Sequence, residues 1–267
     1  MGEGRGKLAG KVALVTGAGS MGEGFGTGKA MSVLFAREGA KLVLVDIDEG
    51  RAAETRRIIE EEGGEATVVL GDLSDPTVPA RLVTDAMAAY GRLDILVNNA
   101  AYANSIGLLE MDDALLHKMI AINLTAPLLL CKAAIPAMIE SGDGGSIINI
   151  SSVASIRGQG GAGRTVYAAT KSAYRGMTVD LADAFGRDGI RVNTIAPGMI
   201  TTPHRSHIMA EEGQTEDHDF LAQKTCLGIQ GDSWDIARAA LFLAGPDGRY
   251  ITGVLLPVDG GVVSRSH

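Results

Sequence analysis

The sequence is poor in the residue types that mark several protein classes. Its 267 residues include two cysteines, Cys131 and Cys226, and these form no Cys-x-x-Cys pair. Two distant thiols exclude a disulfide framework and a thiolate metal site. Aromatic residues make up 4% of the chain against 46% hydrophobic residues, so we expect a mainly aliphatic core.

Positive charge and long apolar runs are scarce as well. The chain has 24 Lys and Arg against 32 Asp and Glu, a net charge of −8. Because nucleic-acid binding needs a concentrated basic surface, we expect no nucleic-acid partner. We find no run of about 18 apolar residues and no secretory signal in residues 1–7, which predicts no membrane span and a cytoplasmic location.

Short β-branched runs alternate with longer helical patterns throughout the chain. The predicted strands are Lys11–Val15, Lys41–Val45, Ala66–Leu70, Leu93–Val97, Ser146–Ile150, Ile190–Ile195 and Val254–Val258. The predicted helices are Gly26–Arg37, Gly50–Glu62, Val78–Ala89, Asp112–Glu140, Thr165–Gly186 and Ser233–Ala244. This alternation predicts an α/β fold, a doubly wound parallel sheet of about seven strands with helices on both faces.

One domain accounts for the whole chain, residues 1–267, since no linker or repeat interrupts the alternation. Ligands of such sheets bind outside the carboxyl ends of the strands. The irregular, polar stretch of about residues 201–230 follows the sixth strand, which makes it a candidate substrate lid; an ordinary surface loop is the alternative. It holds His204, His207 and His218, but without a fixed carboxylate or thiol beside them we predict no metal site.

Tyr167 and Lys171 are four residues apart on a predicted helix and therefore share one face. A nearby ammonium stabilises phenolate and lowers the pKa of a tyrosine from its usual value of about 10. A hydroxyl from another loop, such as Ser152, would hold a substrate oxygen beside the phenol. Together these groups suit proton transfer to or from an alcohol or a carbonyl.

The first predicted strand runs directly into a glycine-rich turn and then a helix. Such a turn lets backbone N–H groups approach a pyrophosphate at the helix N-terminus. Asp46 ends the second strand, where a carboxylate accepts the ribose hydroxyls of NAD and repels a 2′-phosphate. The sequence therefore predicts NAD in preference to NADP; capping of the next helix is the alternative role for Asp46.

These motifs, in this order, resemble the short-chain dehydrogenase/reductase family from about Leu8 to Gly261. The resemblance rests on the glycine turn, Asn98-Asn99-Ala100, Asn123, Ser152 with Tyr167 and Lys171, Pro197-Gly198, and Val258-Asp-Gly-Gly261. It implies a Rossmann-type dehydrogenase that transfers hydride between a secondary alcohol or ketone and a nicotinamide. An NADPH-dependent carbonyl reductase and a non-catalytic NAD-binding protein remain alternatives. It also implies a homotetramer formed through the two long helices.

The resemblance assigns roles residue by residue. The implied catalytic residues are Asn123, Ser152, Tyr167 and Lys171, with Ser151 as a rival for the hydroxyl and Asn123 anchoring a water beside Lys171. The implied cofactor-binding residues, besides Tyr167 and Lys171, are Gly17, Gly26, Thr27, Gly28, Asp46, Asp72, Leu73, Asn99, Ala100, Pro197, Gly198, Ile200 and Thr202. Asp72 and Leu73 would contact the adenine, and Ile200 and Thr202 the nicotinamide and a phosphate.

Three departures from the family pattern stand out. About five extra residues, Met21–Phe25, precede Gly26, so a literal Gly17-x-Gly19-x-x-Gly22 match competes with the alignment used here. Ala101 replaces the last glycine of Asn-Asn-Ala-Gly. Ser152 and Tyr167 stand two residues further apart than usual, and the glycine-rich residues 158–163 absorb the excess.

Overall fold

The computed structural model describes residues 6–158, 164–203, 206 and 218–265. Its strands are β1 Val12–Thr16, β2 Lys41–Asp46, β3 Ala66–Leu70, β4 Ile95–Asn98, β5 Gly145–Ile150, β6 Ile190–Pro197 and β7 Leu255–Val258. Its helices are α1 Thr27–Arg37, α2 Glu49–Glu61, α3 Val78–Tyr90, α4 Asp113–Ile120, α5 Ala126–Ser141, α6 Thr165–Phe185, α7 His218–Gln223 and α8 Ser233–Ala244. The predicted elements are confirmed with small shifts at their ends, except that the predicted long helix is divided into α4 and α5 and that α7 was not predicted.

The seven strands form one parallel sheet in the order β3-β2-β1-β4-β5-β6-β7. The chain winds outward from β1 in both directions, so β1 and β4 meet at the topological switch point. The α/β fold class is therefore confirmed. A switch point opens a crevice at the carboxyl ends of the strands, which is where a dinucleotide binds in such folds.

Two apolar layers sandwich the sheet because alternate residues of each strand face opposite sides. Leu14 of β1 packs in the layer that α3, α5 and α6 cover. Its neighbour Val15 packs in the layer that α1 and α8 cover. The sheet is thus buried on both faces, as the β-branched runs predict.

The long helix predicted over Asp112–Glu140 is interrupted by a π-helical turn. This turn, Ala121–Thr125, joins α4 to α5, and the Ala126 N–H donates to the carbonyl of Ala121. The wider turn holds Asn123 in full burial. Single π turns within α-helices are frequent at functional sites, and hydrophobic periodicity does not reveal them.

The helical stretch Asp113–Ser141 qualifies by length and composition as a membrane span, with a mean hydropathy of 1.6 in its most apolar window. The sequence-based expectation of no such stretch was therefore too strict. However, 44% of that window is buried inside the fold, and α5 packs on α3 and on the sheet. Its apolarity is that of a helix covering a parallel sheet.

An ion-pair cluster closes the opposite end of the sheet from the crevice. The buried Asp94 carboxylate accepts hydrogen bonds from the Val12 N–H at 2.9 Å and from Lys11 Nζ at 3.0 Å. Arg92 donates to both of its oxygens, at 2.8 and 2.6 Å. Burial opposes ionisation of Asp94, but the bonds from Arg92, Val12 and Lys11 outweigh it and hold its pKa below the ordinary range.

We expect Asp94→Ala to lower the free energy of unfolding at pH 7 by about 2–4 kcal/mol, because it leaves the buried Val12 N–H without its acceptor and leaves Lys11 and Arg92 with Asp143 alone as their anionic partner. A lowered pKa stabilises the fold above the unfolded-state pKa and loses that effect as pH falls through the folded-state value. The difference between wild type and variant should thus shrink below about pH 4. Urea unfolding at pH 7 and pH 3 measures both; an equal difference at the two pH values contradicts this account.

Candidate active site

The turn after β1 is shaped to receive a phosphate group. Gly17 has a φ of +63°, and a Cβ on Gly28 would collide with the carbonyl oxygen of Gly17. Glycine is therefore required at both places. Helix α1 begins at Thr27 with Gly26 as its N-cap, and no side chain caps it. Its first N–H groups remain available to an anion.

A hydrogen-bond network ties this turn to the end of β4. Asn99 Nδ2 donates to the carbonyls of Thr16 and Gly17, at 2.9 and 3.0 Å, and Thr27 Oγ1 donates to Asn99 Oδ1 at 2.7 Å. The hydroxyl of Thr16 accepts from the N–H groups of Asn99 and Ala100. The network fixes the two walls of the crevice relative to each other. Sequence reasoning gave Thr16 no role, although its place before Gly17 was visible.

Asp46 lies at the end of β2 with its carboxylate against the turn. Oδ2 accepts from the Gly19 N–H at 2.9 Å and Oδ1 from the Asp48 N–H at 3.1 Å. The cap of α2 is Asp48, which accepts from the Arg51 N–H, so capping is not the role of Asp46. A carboxylate has about four acceptor positions, and these two bonds leave capacity for ribose hydroxyls.

The ends of β3 and β6 hold the remaining residues with an implied cofactor role. Exposed Asp72 accepts from the Ser74 N–H, while the side chain of Leu73 packs in the core. The contact of both residues with adenine stays a prediction, in which Leu73 would take part through its backbone. Buried Pro197 ends β6, and the next residue, Gly198, donates to the Val258 carbonyl at 2.9 Å.

Ile200 and Thr202 follow β6 and lie half-buried beyond the sheet. Ile200 packs against the apolar layer under α1 and α8. The Thr201 N–H donates to the carbonyl of Gly231 at 3.1 Å, which pins the segment to the approach of α8. The apolar layer under α1 and α8 is on the opposite face of the sheet from α6, the helix that carries Tyr167 and Lys171.

Ser152 and Tyr167 are brought together although they come from different elements. Ser152 follows β5 and begins a short 3-10 turn, accepting from the Ala154 N–H at 3.1 Å. Tyr167 lies in the first turn of α6. The Ser152 side chain approaches the phenol closely enough to lower its pKa, and both residues are half-buried. Ser151 is instead buried and donates to the carbonyl of Lys171 at 2.9 Å, which places Ser152 at the phenol.

Lys171 is a buried amine with no anionic partner among the residues that the structure describes. Its Nζ donates to the carbonyl of Ile150 at 2.7 Å and lies 5.9 Å from the ring centre of Tyr167. It also lies 4.7 Å from the ring centre of Tyr174, a residue that sequence reasoning missed. Burial lowers the pKa of Lys171 to about 7. An ammonium has three donors, so the single hydrogen bond leaves capacity for a further acceptor.

The pKa of Tyr167 differs from the expectation. Removal of the phenol from water raises it above its ordinary value, and this outweighs the lowering by Ser152 and by Arg164. The expected lowering by Lys171 is absent because an amine with a pKa of about 7 is uncharged at the higher pH where the phenol titrates. A positive charge beside the hydroxyl would reverse the balance.

Asn123 reaches the same helix from the π turn. Its Oδ1 accepts from the Tyr102 N–H and its Nδ2 donates to the Tyr102 carbonyl, both at 2.8 Å. Nδ2 also contacts Thr170 Oγ1 at 3.4 Å. The amide thus bonds to protein groups of the Tyr102 loop and of α6. It positions the loop after β4 against α6 between Tyr167 and Lys171. The use of Asn123 as a water anchor stays a prediction.

These features fit a dinucleotide. An uncapped helix N-terminus, a carboxylate with spare acceptor positions and a buried amine with spare donors lie along one crevice. They suit, in that order, a pyrophosphate, an adenosine ribose and a second ribose. Residues 159–163 and the predicted lid residues His204, Arg205 and His207 lie outside the described residues, as does the side chain of His218.

Comparison with known proteins adds to this geometry. A family model described as enoyl-(acyl carrier protein) reductase matches residues 22–263. The chain is 41% identical, over 96% of its length and 97% of the relative's, to a 2,5-dichloro-2,5-cyclohexadiene-1,4-diol dehydrogenase of Sphingobium indicum. A solved Burkholderia xenovorans protein described as a short-chain dehydrogenase/reductase is 37% identical, with a TM-score of 0.89 over 98% of this chain and all of that one (100%).

A second solved structure carries a cofactor. It is an Agrobacterium tumefaciens protein described as a 2-deoxy-d-gluconate 3-dehydrogenase with bound NADP. It is 33% identical, with a TM-score of 0.84 over 97% of this chain and 98% of that one.

Proposed function

The chain belongs to the short-chain dehydrogenase/reductase family and is an oxidoreductase, and from this premise we propose that it transfers hydride between a secondary alcohol, or its ketone, and NAD, with Tyr167 as the general acid/base. The observation that carries the proposal is the approach of the Ser152 side chain to the phenol of Tyr167, beside the buried amine of Lys171. The crevice at β1 and β4 supports a nicotinamide dinucleotide as the cofactor.

In the oxidising direction the substrate oxygen would bind between the hydroxyls of Ser152 and Tyr167. Tyr167, as phenolate, takes the hydroxyl proton while the carbon–oxygen double bond forms. When bound, the nicotinamide supplies the acceptor for the hydride that leaves the same carbon. In the reducing direction Tyr167 returns the proton to the carbonyl oxygen, and Ser152 holds that oxygen by a hydrogen bond.

Lys171 would bring the positive charge that the phenol needs. Its pKa of about 7 leaves the amine close to the point of protonation at neutral pH. An acceptor such as a ribose hydroxyl would favour the ammonium form, and the ammonium would in turn favour the phenolate. The two groups therefore titrate as a pair.

We expect Asp46→Ala to raise the dissociation constant for NAD about 10–100-fold, since it removes charge-assisted hydrogen bonds to two hydroxyls. Binding of NADP should change less, so the preference for NAD narrows. The matched control is Asp48→Ala, which removes the α2 cap and leaves Asp46 in place. Calorimetric titration measures the dissociation constants of the wild type and of both variants for NAD and for NADP. A wild type that prefers NADP contradicts the role given to Asp46.

An NADPH-dependent carbonyl reductase is the second candidate, and one observation favours it. Arg51 comes five residues after Asp46 and packs closely against the glycine turn. If Gly19 carried a Cβ, that atom would lie 2.5 Å from the Cβ of Arg51. Its guanidinium lies 3.5 Å from the Asp48 carboxylate. An arginine at this end of the crevice suits a 2′-phosphate.

A panel of secondary alcohols tested with NAD⁺ and with NADP⁺, followed by absorbance of the reduced nicotinamide, tests the proposal. Turnover with NAD⁺ supports it, and faster turnover with NADP⁺ favours the reductase. Stoichiometric dinucleotide binding with no turnover of any alcohol or ketone favours a non-catalytic, NAD-binding protein and overturns the proposed function.

We also propose that the chain forms a homotetramer through α5 and α6. Leu128 and Ile139 of α5 and Val179 of α6 are exposed by 44%, 45% and 53%. A groove of about 600 Å³ between the helices is lined by Ile135 and Phe185, among other apolar residues. Burial of such a surface favours self-association. Light scattering should give four times the 27.7 kDa chain mass; the mass of a single chain contradicts it.

A further inference from the structure

The glycine-turn insertion, Met21–Phe25, has no counterpart in the family pattern, and we propose that it acts as a clasp that holds the phosphate-binding turn in shape for a dinucleotide. In this assignment Phe25 is a positioning residue, anchored on Trp234 at the start of α8. The inference rests on the proposed function because it requires a dinucleotide in the crevice.

The anchor of Phe25 lies on the first turn of α8. The ring centres of Phe25 and Trp234 are 4.9 Å apart with an interplanar angle of 45°, which is a favourable aromatic pair. The Ser233 hydroxyl donates to the Phe25 carbonyl at 2.6 Å. Asp232 and Asp235 form a capping box at this terminus, so the surface that receives Phe25 is itself held in place.

The other face of Phe25 meets the first turn of α1. Lys29 Nζ lies 5.0 Å from the Phe25 ring centre and is paired with Glu54 at 2.7 Å. Lys29 is buried at 2% exposure, so its ammonium is enclosed in part by this ring. Phe25 thus bridges α8 and α1 immediately before Gly26, the N-cap whose turn would receive the phosphate.

A hydrogen bond joins the two ends of the insertion, and its middle residues lie beside the chain that follows β6. The Gly26 N–H donates to Ser20 Oγ at 3.2 Å, which joins the two ends of the loop. A Cβ on Gly24 would lie 3.5 Å from Cγ of Pro203. A cleft of about 560 Å³ is lined by the insertion, by Thr201 and Thr202, and by the start of α8. The insertion therefore forms the outer wall beside the segment expected to contact nicotinamide and phosphate.

A turn that is fixed before binding lowers the entropy lost when the dinucleotide binds. Without the Phe25 ring, the loop between Ser20 and Gly26 loses its aromatic contact with α8 and keeps the hydrogen bond from Ser233, and the first turn of α1 loses its cover. The clasp should therefore change dinucleotide affinity and leave the chemical step at saturation almost unchanged, because Ser152, Tyr167 and Lys171 do not touch it.

Calorimetric titration of Phe25→Ala with NAD⁺ and NADP⁺ tests this assignment. For whichever dinucleotide the wild type binds, we expect the dissociation constant to rise about 10-fold, with kcat at saturation within about threefold. Trp234→Ala should give a similar rise, and the double variant should give little more than either alone, since both break one contact. The matched control is Phe242→Ala, an exposed aromatic of the same helix, which should bind as the wild type does.

Each of the following outcomes either supports or overturns the clasp. An unchanged dissociation constant in a folded Phe25→Ala protein, or full additivity with Trp234→Ala, overturns the clasp and leaves the proposed function intact. If Phe25→Ala does not fold, Ser233→Ala removes only the hydrogen bond to Phe25; an affinity lowered about threefold supports the clasp, and wild-type affinity overturns it. A wild type that binds neither dinucleotide overturns both the clasp and the proposed function.

Discussion

Tyr167→Phe is expected to lower kcat by about 10⁴-fold or more while the dissociation constant for NAD stays within about threefold of the wild-type value. The substitution removes only the hydroxyl, the group proposed to transfer the proton and the one that the Ser152 side chain approaches. General acid–base catalysis contributes about 10²–10⁴-fold. Loss of the hydrogen bond to the substrate oxygen in the transition state adds to this effect.

Steady-state rates and a binding titration on the same preparation of Tyr167→Phe separate chemistry from folding. Tyr250→Phe is the matched control, since Tyr250 is 94% exposed and its substitution should leave both constants unchanged. Activity of Tyr167→Phe within tenfold of wild type removes Tyr167 from the acid–base role. Equal loss of turnover and of NAD binding assigns it to cofactor binding instead.

Lys171→Met should lower kcat/KM by about 10³-fold and raise the dissociation constant for NAD about 10-fold. Without the ammonium, burial raises the pKa of the Tyr167 phenol against only the smaller lowering effects of Ser152 and Arg164. The variant also loses the spare donors suited to a ribose. The rate of the variant should therefore rise with pH to a higher pH than the rate of the wild type does, because hydroxide then forms the phenolate that the ammonium no longer stabilises. A pH profile identical to that of the wild type contradicts the pairing of Lys171 with Tyr167.

The stability of Lys171→Met serves as a control, because we expect the substitution to lower activity without lowering the free energy of unfolding. Burial lowers the folded-state pKa of Lys171 to about 7, below the value near 10.4 of an unfolded chain. The amine therefore destabilises the fold most below pH 7, and this effect disappears as pH rises through about 10. We expect Lys171→Met to be at least as stable as wild type at pH 7, with the difference shrinking by pH 10. Lower stability of the variant at pH 7 contradicts this.

The order of helices and strands could be predicted from the sequence, because strands and helices space their apolar residues differently and the two alternate along a doubly wound fold. The pairing of Ser152 with Tyr167 was predicted through family spacing. The structure adds a physical reason for choosing Ser152 over Ser151, since the Ser151 hydroxyl donates a hydrogen bond to the Lys171 carbonyl.

Other features depend on contacts between distant parts of the chain. The π turn at Asn123 and the approach of Arg51 to Gly19 involve geometry that local pattern does not encode. The raised pKa of Tyr167 depends on burial, which the spacing of Tyr167 and Lys171 does not reveal. The anchoring of Phe25 on Trp234 joins residues more than two hundred positions apart, so the insertion was visible in the sequence but its partner was not.

Titration of the Tyr167 phenol, followed as the phenolate difference spectrum between wild type and Tyr167→Phe with and without saturating NAD⁺, tests the acid–base role most directly. We predict an apparent pKa above the usual value of about 10 in the free protein and well below it in the complex. A phenol that stays protonated above pH 10 in the NAD⁺ complex would contradict the proposed mechanism.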